Sequence, residues 1–462
     1  MKGSYEGTAM SGLTDRLRVR RPWPSPGRLL AGVAGLLAVA VVVCLVVGAS
    51  PVLPLIVAFL LICCARPAVG LGFALVATCT SLGLWAIGAQ ALVASAFGGR
   101  SYALNLSAVA VVFVLALRTA AGWRPHRRAG LALAAGGLLV LFGAVVGIAH
   151  HGVPQTLVGL RIILLPLAAL TVVAAVGVPE IKRLMALLSW LMVANAVAAI
   201  FEFAAGPARL RAWGLDHDRA IRYIDGHFRA PGLTAFNAEL GLLAGAYLLG
   251  YLALWLTGDG RPRAAAWHAG AGAAAICLAL STSRSGAVLV AAGIVAAAVL
   301  NRGLGGRARR RALLFGGGLL ALLIAGFAAV GATGIDSLYQ RLDVWKSLLT
   351  GHVPGYGVGI GGAGAATNSR VATGPQVFVD NYFVSLALQF GPVLFVALIA
   401  AFLVGLWWLW RGTAERPAFV VFLAVAIGLA GAFLLIEAWE YASAMLALAL
   451  FVGSAIRALR EP

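Results

Sequence analysis

The stretch IDSLYQRLDVWKSLLTGHVPGYGVGIGG, residues 335–362, interrupts a chain that is otherwise almost entirely apolar. It belongs to a more polar segment, 332–380, which leads into the apolar sequence VDNYFVSLALQFGPV at 379–393. A segment of roughly fifty residues is longer than helix connections usually are. Helices that only pack against one another need no such insertion. We therefore predict that the chain leaves the membrane here and that this segment carries chemistry.

The composition predicts an all-α polytopic membrane protein. Of 462 residues, 61% are hydrophobic and only 11% are charged, a balance that excludes a soluble globular protein. Apolar runs of roughly 18 to 25 residues recur, which is the length that crosses a hydrocarbon core. They predict roughly 12 to 14 transmembrane helices in one domain, 29–456, and the large external loop falls between the fourth-last and third-last segments. Residues 1–28 are predicted to be a disordered basic cytoplasmic tail, and 457–462 a short cytoplasmic tail.

The positive charge of the chain follows the predicted topology. The formal net charge is +19. When the N-terminus is placed inside, about two thirds of the Lys and Arg residues fall in cytoplasmic loops, as the positive-inside rule expects. This predicts a multi-pass protein of the cytoplasmic membrane with both termini cytoplasmic and external loops at 205–231 and 332–380. Because the charge is explained by topology and by contact with membrane lipid, we expect no nucleic-acid partner.

A set of arginines does not fit this topology, because its members lie at the predicted outer face. They are Arg161, Arg222, Arg229, Arg284 and Arg341. A guanidinium near hydrocarbon needs a partner or a polar cavity. Arginine binds phosphate oxygens in a bidentate way and keeps its charge, so a cluster beside helix ends predicts a site for a lipid-borne diphosphate. Snorkelling to the headgroups, or pairing with an acid such as Asp225 or Asp343, is the alternative for each.

Small and polar residues accompany these arginines. Asn237 follows Pro231 where the chain re-enters the membrane, and Ser283 precedes Arg284. Such residues let backbone N–H groups approach an anion at a helix N-terminus, although they also serve as simple helix caps.

The glycine run GYGVGIGG, residues 355–362, contains a GxGxxG-like string. It lies in a predicted external loop and outside any βαβ unit, so a nucleotide site is not supported. We interpret Gly357 and Gly359 as a backbone that folds closely against substrate, with a flexible bend as the alternative.

Asp380 opens the helix that follows the polar segment. A carboxylate at the membrane face can accept the proton of a hydroxyl nucleophile. Helix capping is the alternative role for Asp380. His352 and His227 are rival candidates for the base. The five cysteines all fall in apolar runs, so neither a metal site nor a cofactor is predicted.

Six segments, in this order, resemble the O-antigen ligase / O-antigen polymerase superfamily of membrane glycosyltransferases. They are LRIILLP (160–166), FRAPGLTAFNAELG (228–241), LSTSRSGAVLV (280–290), QRLDVWKSLL (340–349), PGYGVGIGG (354–362) and DNYFVSLALQFGPV (380–393). The resemblance covers about residues 155–410.

The resemblance implies a metal-independent, inverting enzyme of GT-C type. Such proteins pass a glycan from a polyprenyl-diphosphate-linked donor to a hydroxyl of a glycan, lipid or cell-envelope acceptor, at the outer face of the cytoplasmic membrane. By position, Arg229, Arg284 and Arg341 match the basic residues for the diphosphate, and Arg161 matches less closely.

The chain departs from the family pattern at two positions. Ligases tend to have a histidine where Asp380-Asn381 begins its motif here, so a polymerase, or a ligase with a carboxylate base, remains open. Gln389 stands where an acidic residue is common. We therefore expect Asp380, Arg284 and Arg341 to be catalytic and Asn381 to be among the substrate-binding residues. The competing class is a multispan transporter or flippase of a lipid-linked or anionic substrate, which paired broken helices and related halves would favour.

Overall fold

The computed structural model describes most of the chain between residues 52 and 458. The described ranges are 52–89, 103–123, 127–213, 222–224, 227–257, 264–301, 304–332, 337–351, 354–369, 371–372, 374–377, 379–414, 416 and 418–458.

Helices make up nearly all of this part of the chain. Those before the single β-hairpin are α1 (Val52–Ala65), α2 (Pro67–Cys79), α3 (Ser81–Ala86), α4 (Ala103–Ala121), α5 (Arg127–Ala175) and α6 (Val178–Ala212). The hairpin consists of β1 (Arg222–Ile224) and β2 (His227–Arg229). After it come α7 (Asn237–Thr257), α8 (Ala265–Ser281), α9 (Arg284–Leu300), α10 (Gly306–Ala332), α11 (Ser337–Thr350), α12 (Tyr382–Gly412), α13 (Phe419–Phe433) and α14 (Ala442–Ala458). Two short 3₁₀ turns, Gly364–Asn368 and Ala438–Glu440, flank α12 and α13.

The length and apolarity of these helices are those of an all-α membrane protein. Five of them are long and apolar enough to cross a membrane: Leu104–Ala121, Gly130–Ala175, Val178–Ala212, Asn237–Thr257 and Tyr382–Gly412. Shorter apolar helices, among them α8, α9, α13 and α14, pack beside them. The predicted fold class is confirmed at this level.

The helices α7, α9 and α12 end together. Asn301, just after α9, donates from Nδ2 to the Leu256 carbonyl near the end of α7 over 3.1 Å. Thr413, just after α12, donates from Oγ1 to the Leu300 carbonyl over 3.4 Å. We call this end of the bundle the basic end, because the arginine-rich sequence 307–311 follows it directly. The first residues of α7 and α9 therefore lie at the opposite end, which we call the site end.

Helix α13 runs antiparallel to α9, because Gly428 lies against Leu289 and Gly293 against Ala424, so α13 ends at the site end. The start of α12 lies there too, since Asn381 Nδ2 donates to the Leu434 carbonyl just after α13 over 3.5 Å.

Helix α5 folds back on itself at Gly152. That glycine has φ 76° and ψ 168°, outside the helical region. A methyl group at Gly143 would lie 2.9 Å from Ile360 Cγ1, and one at Gly159 would lie 2.8 Å from Ile360 Cγ2. Sixteen residues of straight helix would separate these glycines by about 24 Å. The two halves are therefore antiparallel and enclose Ile360, and they correspond to the two apolar runs 129–149 and 156–177 of the sequence.

Helix α12 is broken at Gly391, where φ is 76° and ψ is 164°, and Pro392 follows. Proline has no N–H, so the Leu388 carbonyl lacks its helical donor. The glycine run supplies the missing donors from another part of the chain. Val358 N–H donates to Leu388 O and Gly359 N–H donates to Gln389 O, each over 2.9 Å.

The glycine run also bonds to α5, so it is part of the bundle and not a free external loop. Ile360 N–H donates to Gly143 O over 2.8 Å, and Ile360 is fully buried. Gln155 Nε2 donates to Gly361 O over 2.8 Å. The flexible bend considered for this stretch is therefore not what the structure shows. The close backbone approach expected there is made to the protein's own helices.

Helix α7 packs closely against both α9 and α14. A methyl group at Gly286 would overlap the Gly241 carbonyl, so α7 and α9 touch through their backbones. Small residues allow this kind of contact between membrane helices. Tyr247, fully buried in α7, packs edge-on against Phe451 of α14 and hydrogen-bonds the Ser189 hydroxyl of α6 over 2.7 Å.

We predict that Gly359→Ala destabilises the fold and that Gly355→Ala does not. A methyl group at Gly359 would overlap the backbone nitrogen of Gly147, and φ there is 82°, whereas nothing lies within 4 Å of one at Gly355. Backbone strain and overpacking each cost about 1–3 kcal/mol. The detergent-solubilised Gly359 variant should therefore melt several degrees below wild type. Equal melting temperatures for the two variants would contradict the buried position of the run.

Candidate functional site

The candidate site begins with an ion pair between Asp380 and Arg341. Arg341 Nη2 lies 3.1 Å from Asp380 Oδ2, and the two side chains are 41% and 46% exposed. Arg341 Nη1 also donates to the Leu435 carbonyl after α13, over 3.5 Å. The pair therefore joins the polar segment to the start of α12 and to the end of α13, and it remains open to solvent.

Asn381, and not Asp380, caps α12. Asn381 Oδ1 accepts hydrogen bonds from the N–H groups of Phe383 and Val384, at 3.0 and 3.2 Å. Asp380 has a left-handed backbone conformation with φ 48°. The capping role considered for Asp380 is thus filled by its neighbour, and the Asp380 carboxylate is directed to Arg341.

Two residues of α11, Trp345 and Leu348, anchor this helix against the start of α12, and their positions determine where Arg341 points. Trp345 Nε1 donates to the Val379 carbonyl over 2.5 Å, and Leu348 packs against the small core cluster around Val379 and Leu388. Positions i, i+4 and i+7 lie on one helix face, so Arg341 faces the same way as these anchors.

Two glutamates of the turn between α13 and α14 lie beside this pair. Glu437 is only 7% exposed, and against the larger effect of burial the Ser385 hydroxyl in the first half of α12 acts to lower its pKa. Glu440 accepts the Ala365 N–H through Oε2 over 3.0 Å, and the positive charge of Arg161 offsets its negative charge. Trp439 between them donates from Nε1 to the Ile163 carbonyl over 3.0 Å. Tyr382 of α12 stacks on Trp439, with ring centroids 6.2 Å apart. The turn therefore contacts both α5 and α12.

Burial raises the pKa values of the two glutamates in this turn. It raises the pKa of Glu437 to about 7, and the nearby Asp380 charge acts in the same direction. Burial and the neighbouring Glu437 raise the pKa of Glu440 well above its usual range, against the opposing effect of Arg161. A buried carboxyl favours its neutral form, because the charged form loses hydration.

Tyr441 shows how closely the acids gather. Burial is the main reason that its pKa lies above its ordinary value, and four carboxylates raise it further. They are, in decreasing order of effect, Glu440, Glu239, Asp380 and Glu437. Glu239 reaches this cluster from α7, where its Oε1 accepts the Ser443 hydroxyl over 2.8 Å. Its other oxygen, Oε2, accepts the Ala235 N–H over 3.3 Å.

A second group of predicted residues lies where α7 and α9 begin. Ser283 caps α9 by accepting the Gly286 N–H, and Asn237 Nδ2 donates to the Ser281 carbonyl over 3.4 Å. Ala230 N–H, directly after β2, donates to the Leu280 carbonyl over 3.2 Å. This bond holds the hairpin against the turn that leads into Arg284.

The structure thus places the predicted residues in three sets. Arg341, Asp380 and Asn381 meet directly at the start of α12. Arg161 lies apart from them, at Glu440. The hairpin and the helix starts beside it carry the other polar residues, and β1 pairs with β2 so that Arg222 lies opposite Arg229. The members of this third set are Arg222, Arg229, Asn237, Ser283 and Arg284.

The structure describes the surroundings of the two predicted glycines, but it does not describe the side chains of the two predicted histidines. Gly357 and Gly359 pack against the backbones of α12 and α5, where methyl groups would overlap Gln389 O and Gly147 N. His352 lies outside the described residues. His227 is in β2, and its side chain lies outside the described part. In the ranges that the structure describes, no three His, Cys, Asp or Glu side chains could hold a metal ion together.

Sequence reasoning missed the glutamates of the α13–α14 turn. The available signal was LIEAWEY, residues 435–441, in which two acids lie between two apolar runs. That pattern indicates an interfacial turn, and nothing local shows that it folds inward onto Arg161 and Ser385.

We predict that the Arg341–Asp380 and Arg161–Glu440 contacts differ in how much they contribute to the stability of the fold. Half-exposed ion pairs contribute about 0–1 kcal/mol, so Arg341→Gln should melt close to wild type. Arg161→Gln should melt several degrees lower, because it leaves the buried Glu440 without its opposing charge. Thermal unfolding in detergent measures both. A large loss for Arg341→Gln together with none for Arg161→Gln would contradict this assignment.

No protein-family model, no curated protein and no solved structure matches the chain. The functional argument therefore rests on the geometry of the site and on the residue patterns that led to it.

Proposed function

We propose that this chain is a membrane glycosyltransferase that transfers or polymerises a polyprenyl-diphosphate-linked glycan onto an acceptor hydroxyl. The observation that carries the proposal is the solvent-open Asp380–Arg341 pair at the site end of the bundle. It combines a carboxylate that can take a proton with a guanidinium that can bind phosphate. The site end would face outward from the cytoplasmic membrane, with both termini cytoplasmic and roughly 12 to 14 spans.

The electrostatics of the site end support an anionic donor. Helices α7, α9 and α12 all begin there, and a helix N-terminus carries a partial positive charge of about half a unit. Arg229 and Arg284 flank the starts of α7 and α9, while Arg341 reaches the start of α12. Together they supply backbone donors and permanent charges for a diphosphate.

Glu437 and Glu440 lie close to the proposed diphosphate site, and their negative charges would repel a diphosphate. Such a site therefore requires that at least one of these two carboxyls is protonated. The raised pKa values of Glu437 and Glu440 meet this condition, because burial favours their protonated forms. A protonated Glu437 adds no negative charge beside the arginines and does not compete with a phosphate for them.

The proposed reaction is a single displacement with inversion at the anomeric carbon. The acceptor oxygen forms a bond to that carbon while the bond to the diphosphate oxygen breaks, and the diphosphate leaves with the electron pair. Arg284 and Arg341 stabilise the charge that builds on it. Asp380 orients the acceptor hydroxyl and takes its proton. No metal ion takes part in this scheme.

Transport of a lipid-linked or anionic substrate is the second candidate, and a specific observation favours it. Helices α5, α6 and α12 are interrupted at Gly152, Gly206 and Gly391, and interrupted helices are a feature of transporter sites. The purified protein in vesicles with a lipid-linked glycan separates the two. A transferase forms a new glycosidic product, whereas a transporter moves the substrate unchanged.

We predict that Arg341→Ala and Arg284→Ala each abolish glycan transfer while the protein still inserts and folds. Lysine should restore little activity at either position if bidentate phosphate binding is required. Arg310→Ala, at the basic end and exposed, is the matched control and should transfer at the wild-type rate. The assay measures product from purified protein and lipid-linked donor. Near-normal transfer by both Ala variants would overturn the diphosphate assignment.

A further inference from the structure

The turn between α13 and α14 contains an oxygen atom without a hydrogen-bond partner. Glu437 is 7% exposed, and its Oε1 is buried with no partner among the described residues. A buried acceptor left unsatisfied costs about 1–3 kcal/mol, so an atom of this kind requires an explanation.

Glu440 lies next to this orphaned oxygen. A methyl group at Gly364 would overlap Glu440 Oε1 and would lie 2.7 Å from Glu437 Oε1. The two carboxylate oxygens therefore face the same small volume on one side of Gly364. This glycine has φ 75°, and the absence of a side chain there lets the polar segment close over both acids.

Two ionised carboxylates are unfavourable in such a volume, because like charges in a buried site repel strongly. The groups that face Glu437 and Glu440 come from several elements. They are Arg161 of α5, Asp380 before α12, Tyr382 and Ser385 in α12, the Ala365 N–H, and Tyr441. Arg161 is the cation acting on Glu440, and the Arg341 charge is directed to Asp380. A single arginine offsets only one of the two negative charges.

We propose that Glu437 and Glu440 form a carboxylic acid–carboxylate pair that binds one proton between their facing Oε1 atoms. A proton on Glu437 Oε1 converts the orphaned acceptor into a donor, and Glu440 Oε1 accepts the bond. The pair then carries one negative charge, which matches Arg161. Because Glu440 also accepts the Ala365 N–H, the proton would hold segment 364–368 closed against the turn.

The raised pKa of Glu437 supports this pair and fixes its pH dependence. The pKa rises from 4.5 to about 7. A group whose pKa is raised on folding stabilises the fold fully below its unfolded pKa, and this stabilisation is lost as the pH rises through the folded pKa. The bound proton should therefore stabilise the fold at pH 5 and be lost by about pH 8.

The full-length protein in detergent tests this by thermal melting between about pH 5 and pH 8. Wild type should melt at a lower temperature at the higher pH. Glu437→Gln should show a smaller difference than wild type, because its amide donates to Glu440 at every pH. Asp343→Asn removes an exposed carboxylate of α11 and should keep the wild-type slope.

Two further measurements separate the pair from a general effect of charge. Glu440→Gln should melt lower at both pH values, because Arg161 then has no anion beside it. Infrared spectra at pH 5 should show a protonated carboxyl band that is weaker in Glu437→Gln than in wild type. A Glu437→Gln protein that fails to fold, keeps the wild-type pH slope or keeps that band at its wild-type intensity would overturn the proposal.

Discussion

The structure depends on two backbone hydrogen bonds between the glycine run and the first half of α12. A helix that breaks inside an apolar bundle leaves carbonyls without donors, and hydrocarbon offers no water to replace them. Val358 and Gly359 satisfy the carbonyls of Leu388 and Gln389 that the break at Pro392 exposes. These bonds fix the half-helix that starts directly after Asp380, and with it the position of the candidate site.

The same constraint explains why a polar segment can lie against membrane helices. Ile360 fills the space between the antiparallel halves of α5, and the glycines on either side let three backbones approach one another. From this anchor the chain runs to Gly364 and Ala365, which close over the glutamates of the α13–α14 turn. The packing of the glycine run therefore also determines where residues 364 and 365 contact the two glutamates of the turn.

The sequence predicted the apolar helices and the arginine and aspartate of the ion pair, because composition and charge asymmetry report both directly. It placed the glycine run in an external loop, since neither hydropathy nor the lack of side chains reveals that a backbone is buried by distant helices. It offered helix capping as the alternative role of Asp380, whereas Asn381 caps α12. Glu437 and Glu440 could not be recognised from LIEAWEY, because their burial depends on contacts with α5 and α12 that are distant in the chain.

Hydrogen exchange of the backbone amides of Val358, Gly359 and Ile360 tests most directly whether the run is built into the bundle. These three N–H groups donate to Leu388, Gln389 and Gly143, so they should exchange as slowly as amides in the middle of α7. Exchange as fast as that of an unstructured peptide would show that the run is a free loop, and the arrangement of Asp380, Arg341 and the two glutamates would lose its support.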